Sequence, residues 1–186
     1  LCNLSCRMCF PEFSSQLKNN YIKLNLIPES NILTDWTTDA SKWNDFLEVV
    51  KNSKQLLSLH FMGGEPMLSK RFRELVDHLI NTDRTNMSIS FVTNGTIISQ
   101  SLIDKLKQFR SCDIEVSLES ISNNNDYIRQ GSNTQETLAN IKDLISQQTD
   151  TFHIVLRSVL QLLSVNNYDQ YILWAYNSYK KGEKRA

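Results

Sequence analysis

The chain has 186 residues, 40% of them hydrophobic and 22% charged, and its 20 Lys and Arg balance 20 Asp and Glu to a formal net charge of zero. This ordinary globular composition excludes a disordered tail, a low-complexity fibre and a nucleic-acid binder driven by bulk charge. No apolar stretch approaches the roughly 20 residues of a membrane-spanning helix, and no signal-peptide pattern is present, so the expectation is a cytoplasmic protein with neither membrane nor nucleic-acid partners.

Three of the four cysteines lie within the first nine residues, as Cys2-Asn-Leu-Ser-Cys6-Arg-Met-Cys9. A tight loop can bring thiols at this spacing onto one small inorganic body. Soft thiolates select iron–sulfur clusters, zinc or Cu(I). Structural zinc takes four protein ligands, usually as two separated pairs, whereas three thiolates on a cubane leave one iron free for a small molecule. Zinc held by the trio with Cys112, and simple redox-active thiols, are the plainer alternatives. A disulfide framework would spread its cysteines along the chain. Cys112 reads as a small buried hydrophobe. The sequence starts at Leu1, one residue before the first thiol, which reads as a fragment.

Residues 11–40 mix polar positions with Tyr21, Ile22, Leu24, Leu26 and Ile27 and contain Pro11 and Pro28. They read as a long excursion with at most one short strand. Next, Trp43, Phe46, Leu47 and Val50 form a helical stripe. Leu56 to Met62 reads as a buried strand ending in Gly63-Gly64-Glu65-Pro66. Phe72, Leu75, Val76, Leu79 and Ile80 mark another helix, and Met87 to Val92 a second strand closed by Thr93-Asn94-Gly95. Ile98, Leu102, Leu106 and Phe109 give a further helix. Ile114, Val116 and Leu118 alternate with Glu115 and Ser117 in a third strand.

After a polar loop, Leu138, Ile141, Leu144 and Ile145 predict a helix, Phe152 to Leu163 contains a fourth strand, and Tyr168 to Tyr179 forms a last helix. That helix carries more aromatic residues than one core face can take. The terminal run Lys180, Lys181, Glu183, Lys184, Arg185 reads as a solvated tail. His60, His78 and His153, on or beside these elements, read as structural.

Strands and helices alternating with short joints predict parallel βαβ units. A complete eightfold barrel usually needs roughly 250 residues, which leaves a partial (βα) barrel of parallel strands with outer helices, or an open α/β sheet. Gly63, Gly64 and Glu65, then Thr93, Asn94 and Gly95, then Glu119 and Ser120 all follow strands, so they fall on the rim where parallel sheets bind ligands.

The cysteine trio, followed by GGEP after one strand and TNG after the next, resembles the radical S-adenosylmethionine (radical SAM) superfamily over essentially the whole chain. With Pro11, Phe13, Ser14, Ser15 and the segment Tyr127 to Ser132, it is most similar to twitch domain-containing radical SAM proteins. The resemblance implies that Cys2, Cys6 and Cys9 hold a [4Fe-4S] cluster. The remaining iron would chelate the methionine end of SAM, and reductive cleavage would release a 5′-deoxyadenosyl radical that abstracts hydrogen from substrate. It further implies that Gly63, Gly64 and Glu65 bind the methionine moiety. Ser117 and Glu119 would contact SAM's carboxylate and ribose, Arg129 would pair the carboxylate, Asn94 would make a polar contact, and Met8 would lie beside the adenine.

Glu119 stands where the family usually has Asp, and Met8 where it often has an aromatic residue. Relatives place a strand before the trio and continue beyond position 186, so residues 1–186 are expected to be a core domain truncated at both ends. The implied partners are SAM, an electron donor and a peptide or protein substrate. The rival readings are a non-catalytic iron–sulfur or zinc-binding protein and an activator that makes a glycyl radical on another enzyme.

Overall fold

Four strands of alternating burial, β2 (Ser58–Phe61), β3 (Ser88–Thr93), β4 (Ser111–Ser117) and β6 (Phe152–Arg157), pair in parallel in the order β2-β3-β4-β6. They belong to a computed structural model that describes residues 2–28 and 35–183, with side chains to residue 180. A two-residue strand near the N-terminus, β1 (Ser5–Cys6), pairs antiparallel with β5 (Arg129–Gln130) in a separate small sheet.

Helices α2 (Ala40–Asn52), α3 (Lys70–Asn81), α4 (Gln100–Leu106), α6 (Thr134–Ser146) and α7 (Tyr168–Glu183) separate or follow the parallel strands, and a short α5 (Asn124–Ile128) precedes β5. The starts of α2, α3 and α6 carry the side-chain acceptors that helix N-termini favour. Asp39 accepts from the Ser41 and Lys42 amides, Ser69 from the Phe72 amide, and Asn133 from the Glu136 amide.

The apolar stripes predicted from periodicity meet one face of the sheet. Val50, Phe72, Leu75, Leu79, Leu106, Ile141 and Leu144 are buried in one cluster with Ile89, Phe91, Ile114, Val116, Phe152 and Ile154. The other face is polar: His60 Nδ1 lies 2.7 Å from Ser90 Oγ, His153 Nδ1 2.8 Å from Asp113 Oδ1, and Arg157 Nε 2.6 Å from Glu115 Oε2. The α/β class with parallel strands and surrounding helices is as expected. Among the described residues the sheet is open, with β2 and β6 at its edges.

Three expectations need correction. The strand expected over Leu56–Met62 is shorter and is not buried: Ser58 and His60 are exposed and Leu59 and Phe61 half-buried, because β2 is an edge. Among its described residues the excursion at 11–40 contains a helix and no strand: α1 (Ser15–Lys23), started by the Ser14 hydroxyl accepting from the Leu17 amide at 3.1 Å. Positions 29–34 of that excursion, Leu1, and the end of the charged tail lie outside the described residues. The third strand begins earlier than the Ile114–Leu118 alternation, so Cys112 is inside β4; it is fully buried, as its reading as a small hydrophobe expects, and burial pushes its thiol up to about 12.

In α7 the aromatic surplus is visible. Tyr171 is buried, and the Tyr179 hydroxyl donates to the Ile154 carbonyl at 2.7 Å, while Tyr176 is exposed.

Candidate functional site

The cysteine loop is shaped by its neighbours at both ends. Leu4 is fully buried, and its carbonyl accepts from the Ser14 hydroxyl. The Cys2 amide donates to Ser15 Oγ at 3.3 Å, and that hydroxyl donates to the Cys2 carbonyl at 3.0 Å. The start of α1 therefore anchors the front of the loop.

The β1–β5 ladder anchors its middle, with Cys6 opposite Arg129 and Ser5 opposite Gln130, extended by the Arg7 amide donating to the Ile128 carbonyl at 2.9 Å. The Cys9 amide turns back onto the Cys6 carbonyl at 3.1 Å. Arg7 lies over the Tyr127 ring at 4.0 Å and donates through Nε to the Tyr127 carbonyl at 2.9 Å.

Cys6 is buried, and Cys2 and Cys9 are partly exposed. Burial pushes the Cys6 thiol up; the Arg129 guanidinium opposes this and the nearby Cys2 and Cys9 reinforce it. The Cys9 thiol is also raised, chiefly by burial. Among the described residues no three His, Cys, Asp or Glu side chains surround a point suited to a single metal ion. A cubane takes each thiolate on a different iron, so its ligands spread further than those of one ion. Three soft donors on one loop, close enough to influence one another electrostatically and flanked by a cation, fit that cluster chemistry.

Glu65 lies at the joint between β2 and α3 and is almost wholly buried. It accepts from the Met67 amide at 3.0 Å, the Asn94 amide at 2.7 Å and the Thr93 hydroxyl at 2.8 Å. Its carboxyl is pushed up by burial against the pull of those three bonds. The carboxylate thus clamps the ends of β2 and β3 together instead of standing open. Gly63 takes φ +86°, and a Cβ there would meet the Phe13 ring at 3.3 Å, so glycine permits both the backbone turn and the ring's approach.

Asn94 connects this joint to the cysteines. Its Nδ2 donates to Asn3 Oδ1 at 2.9 Å and lies 3.8 Å from Cys2 Sγ, while its Oδ1 accepts from the Thr96 amide and hydroxyl.

On the adjoining rim Glu119 and Arg129 are paired with each other at 2.6 Å, with 1% and 12% of their side chains exposed. The second Glu119 oxygen accepts from the Val159 amide at 2.8 Å. Arg129 Nη1 lies 4.0 Å from Cys6 Sγ, and Arg129 Nε is buried without a partner. Together with Ser117, Val92, Arg157 and Tyr171 this pair borders a cavity of about 560 Å³. Met8 is further along the loop, its sulfur 3.8 Å from Gln161 Nε2 beyond β6.

The structure therefore gathers Cys2, Cys6, Cys9, Glu65, Asn94, Glu119 and Arg129 into one run of contacts, with Ser117 in the adjoining cavity and Gly63 and Gly64 at the β2 joint. The histidines stay on the sheet and on α3, away from this run. Sequence reasoning missed Asn3 and Thr96, whose partners are remote in sequence, and Arg157, which is visible only as the exposed end of an alternating strand. It also missed a second, smaller cavity of about 200 Å³ behind the Gly63–Glu65 joint, lined by Trp36, Trp43, Phe46 and Met62.

Known proteins resemble this chain in sequence and in fold. The chain is 27% identical over 162 residues to the radical SAM cyclopropyl synthase TigE of Paramaledivibacter caminithermalis, covering 86% of this chain and 33% of that protein. Streptococcus suis SuiB bound to S-adenosylmethionine matches with a TM-score of 0.64 at 15% identity, over 95% of this chain and 36% of SuiB. SuiB bound to its precursor peptide SuiA matches with a TM-score of 0.58 at 15% identity, over 73% of this chain and 30% of SuiB. The chain thus spans about a third of the length of these relatives. Residues 1–160 match the Radical SAM superfamily, and the chain belongs to it.

Proposed function

We propose that this chain is the cluster- and SAM-binding part of a radical SAM enzyme that acts on a peptide or protein. The observation that carries the reading is the continuity of the contacts. Cys2 reaches Asn94, Asn94 reaches Glu65, Cys6 reaches Arg129, and Arg129 reaches Glu119, so the thiols are tied to three strand ends at once.

In this reading Cys2, Cys6 and Cys9 ligate a [4Fe-4S] cluster, and Met8, Gly63, Gly64, Asn94, Ser117, Glu119 and Arg129 form the surface that receives SAM, with Glu65 buried beneath it. When bound, the cluster and SAM supply reductive cleavage of the sulfonium with one electron from an external donor, yielding the radical that takes hydrogen from substrate. The protein's part is to bind and orient. Gly63 and Gly64, at φ +86° and +61°, leave backbone groups free for close approach. Glu65 keeps the β2 and β3 ends in one relation, so that the methionine-binding backbone and Asn94 stay aligned.

A peptide substrate is supported by SuiB, whose structure holds a precursor peptide, and by the polar open face of the sheet. Four free cysteines suit a reducing cytoplasm. The twitch-domain class belongs to the same proposal, on the motifs at Pro11–Ser15 and Tyr127–Ser132.

The test is anaerobic reconstitution of the whole protein that carries this chain with iron and sulfide, followed by electron paramagnetic resonance of the dithionite-reduced protein with and without SAM. A cluster signal that changes on adding SAM, and that is lost in Cys6→Ala, is the expected result. A full cluster whose signal ignores SAM would overturn the reading.

A further inference from the structure

We infer that the buried Arg129–Glu119 pair sets the reduction potential of the cluster by placing a partly neutralised cation against the Cys6 thiolate. The inference rests on the reading that the cysteine trio holds a [4Fe-4S] cluster, and it assigns to Arg129 a role separate from contact with SAM.

Register places the cation. Cys6 and Arg129 are direct partners in the β1–β5 ladder, so their side chains project from neighbouring backbone positions. The guanidinium is then oriented by Glu119, whose Oε1 receives Nη2 at 2.6 Å, leaving Nη1 directed toward Cys6 Sγ at 4.0 Å. Glu119 is itself held at both ends: its amide donates to Asn125 Oδ1 at 3.0 Å, and its Oε2 accepts from the Val159 amide at 2.8 Å. With so little of either side chain exposed, solvent screens the charge weakly and the guanidinium has no free arc in which to swing. Arg129 Nε, buried and unpartnered, leaves one further donor of this cation unspent.

Cluster potentials respond to net charge, to hydrogen bonds on the sulfurs and to exposure. Reduction adds one electron and therefore one negative charge to the cluster and its thiolates. A cation and an N–H donor beside Cys6 stabilise that reduced form more than the oxidised one, and Glu119 offsets part of the effect. Arg129 alone would raise the potential, and Glu119 brings it back down. The two residues therefore act in opposite senses, which a purely architectural role for the pair would not produce.

The test is a potentiometric titration of the reconstituted whole protein that carries this chain, monitored by electron paramagnetic resonance and run without SAM, so that lost SAM contacts cannot contribute. Arg129→Met is expected to lower the midpoint so that the reduced-to-oxidised ratio at the unmodified midpoint falls about tenfold, equivalent to about 59 mV for a one-electron couple. Arg129→Lys should fall by less, and Glu119→Gln should shift the midpoint upward. Should Arg129→Met lose its cluster, Arg129→Lys and Glu119→Gln carry the test.

Unmoved midpoints at full cluster content, or Glu119→Gln shifting downward with the arginine variants, would overturn the inference while leaving the proposed function standing. Failure of the unmodified whole protein to take up a cluster would overturn that function and this inference with it.

Discussion

Removing the Glu65 carboxylate should destabilise the fold, whatever it does to ligand binding. The side chain is 1% exposed and accepts from the Met67 amide, the Asn94 amide and the Thr93 hydroxyl. Thr93 can turn its hydroxyl elsewhere, but in Glu65→Ala the two amides lose their acceptor at a site closed to water. A buried donor left unpaired costs about 1–3 kcal/mol, so the pair accounts for roughly 2–6 kcal/mol. That is a large part of the about 5–15 kcal/mol typical of whole domains.

Glu65→Gln keeps one carbonyl oxygen and should recover about half of the loss. The sign of the pH dependence follows from the raised carboxyl. The folded chain holds this proton more tightly than the unfolded chain does, so the associated stability is complete below the ordinary value of 4.5 and fades as pH rises through the elevated folded value. Glutamine does not titrate, so the advantage of the unmodified protein over Glu65→Gln should narrow with rising pH. Urea unfolding followed by circular dichroism measures all three proteins. A Glu65→Ala loss under about 0.5 kcal/mol, well short of one orphaned amide, or a gap to Glu65→Gln that widens with pH, would refute the reasoning.

Gly95→Ala should lower Tm by roughly 5–15 °C, because its Cβ would lie 2.7 Å from Val116 Cγ1 at φ +70°; an unchanged melting curve would contradict this. Cys112 should resist alkylation in the folded protein while Cys9 reacts, as mapped by mass spectrometry, because burial holds its thiol protonated up to about 12. The folded state keeps that proton when the unfolded state, near 9.0, has released it. Stability linked to Cys112 should therefore decline by up to about 1.4 kcal/mol per pH unit above that value, and Cys112→Val should flatten the decline. Arg84→Met should cost about 1–3 kcal/mol and speed hydrogen exchange around residues 53–58, since Arg84 donates to the carbonyls of Lys51, Ser53 and Leu56 at 2.8, 2.9 and 3.0 Å.

The parts of the fold legible in the sequence are those with a long period. Phe72, Leu75, Val76 and Leu79, or Ile114 and Val116 between polar neighbours, repeat often enough to report helix or strand, and the motif residues then fall on the strand ends by counting. Helix α1 was hidden because its sequence is mostly polar, with Leu17 its only buried residue. The exposure of β2 was hidden because burial of a strand depends on its neighbours. The pairing of β1 with β5 spans two residues on each side, too few for any pattern.

Within the site, residue types announced the thiols and the Gly63–Glu65 joint. The sequence held no sign that Glu119 would be spent on Arg129, or that Glu65 would serve as a clamp between strands. Those outcomes depend on where remote backbone atoms come to rest.

The two-rung β1–β5 ladder also has a consequence during synthesis. Arg129 follows Cys6 by 123 positions, an interval on the order of 6–25 s at ordinary translation rates of roughly 5–20 residues per second. Throughout that time the three sulfurs are outside the ribosome without the partner strand that orders their loop. Iron delivered co-translationally meets a floppy tripod of thiols, whereas iron delivered after release meets one already drawn into shape.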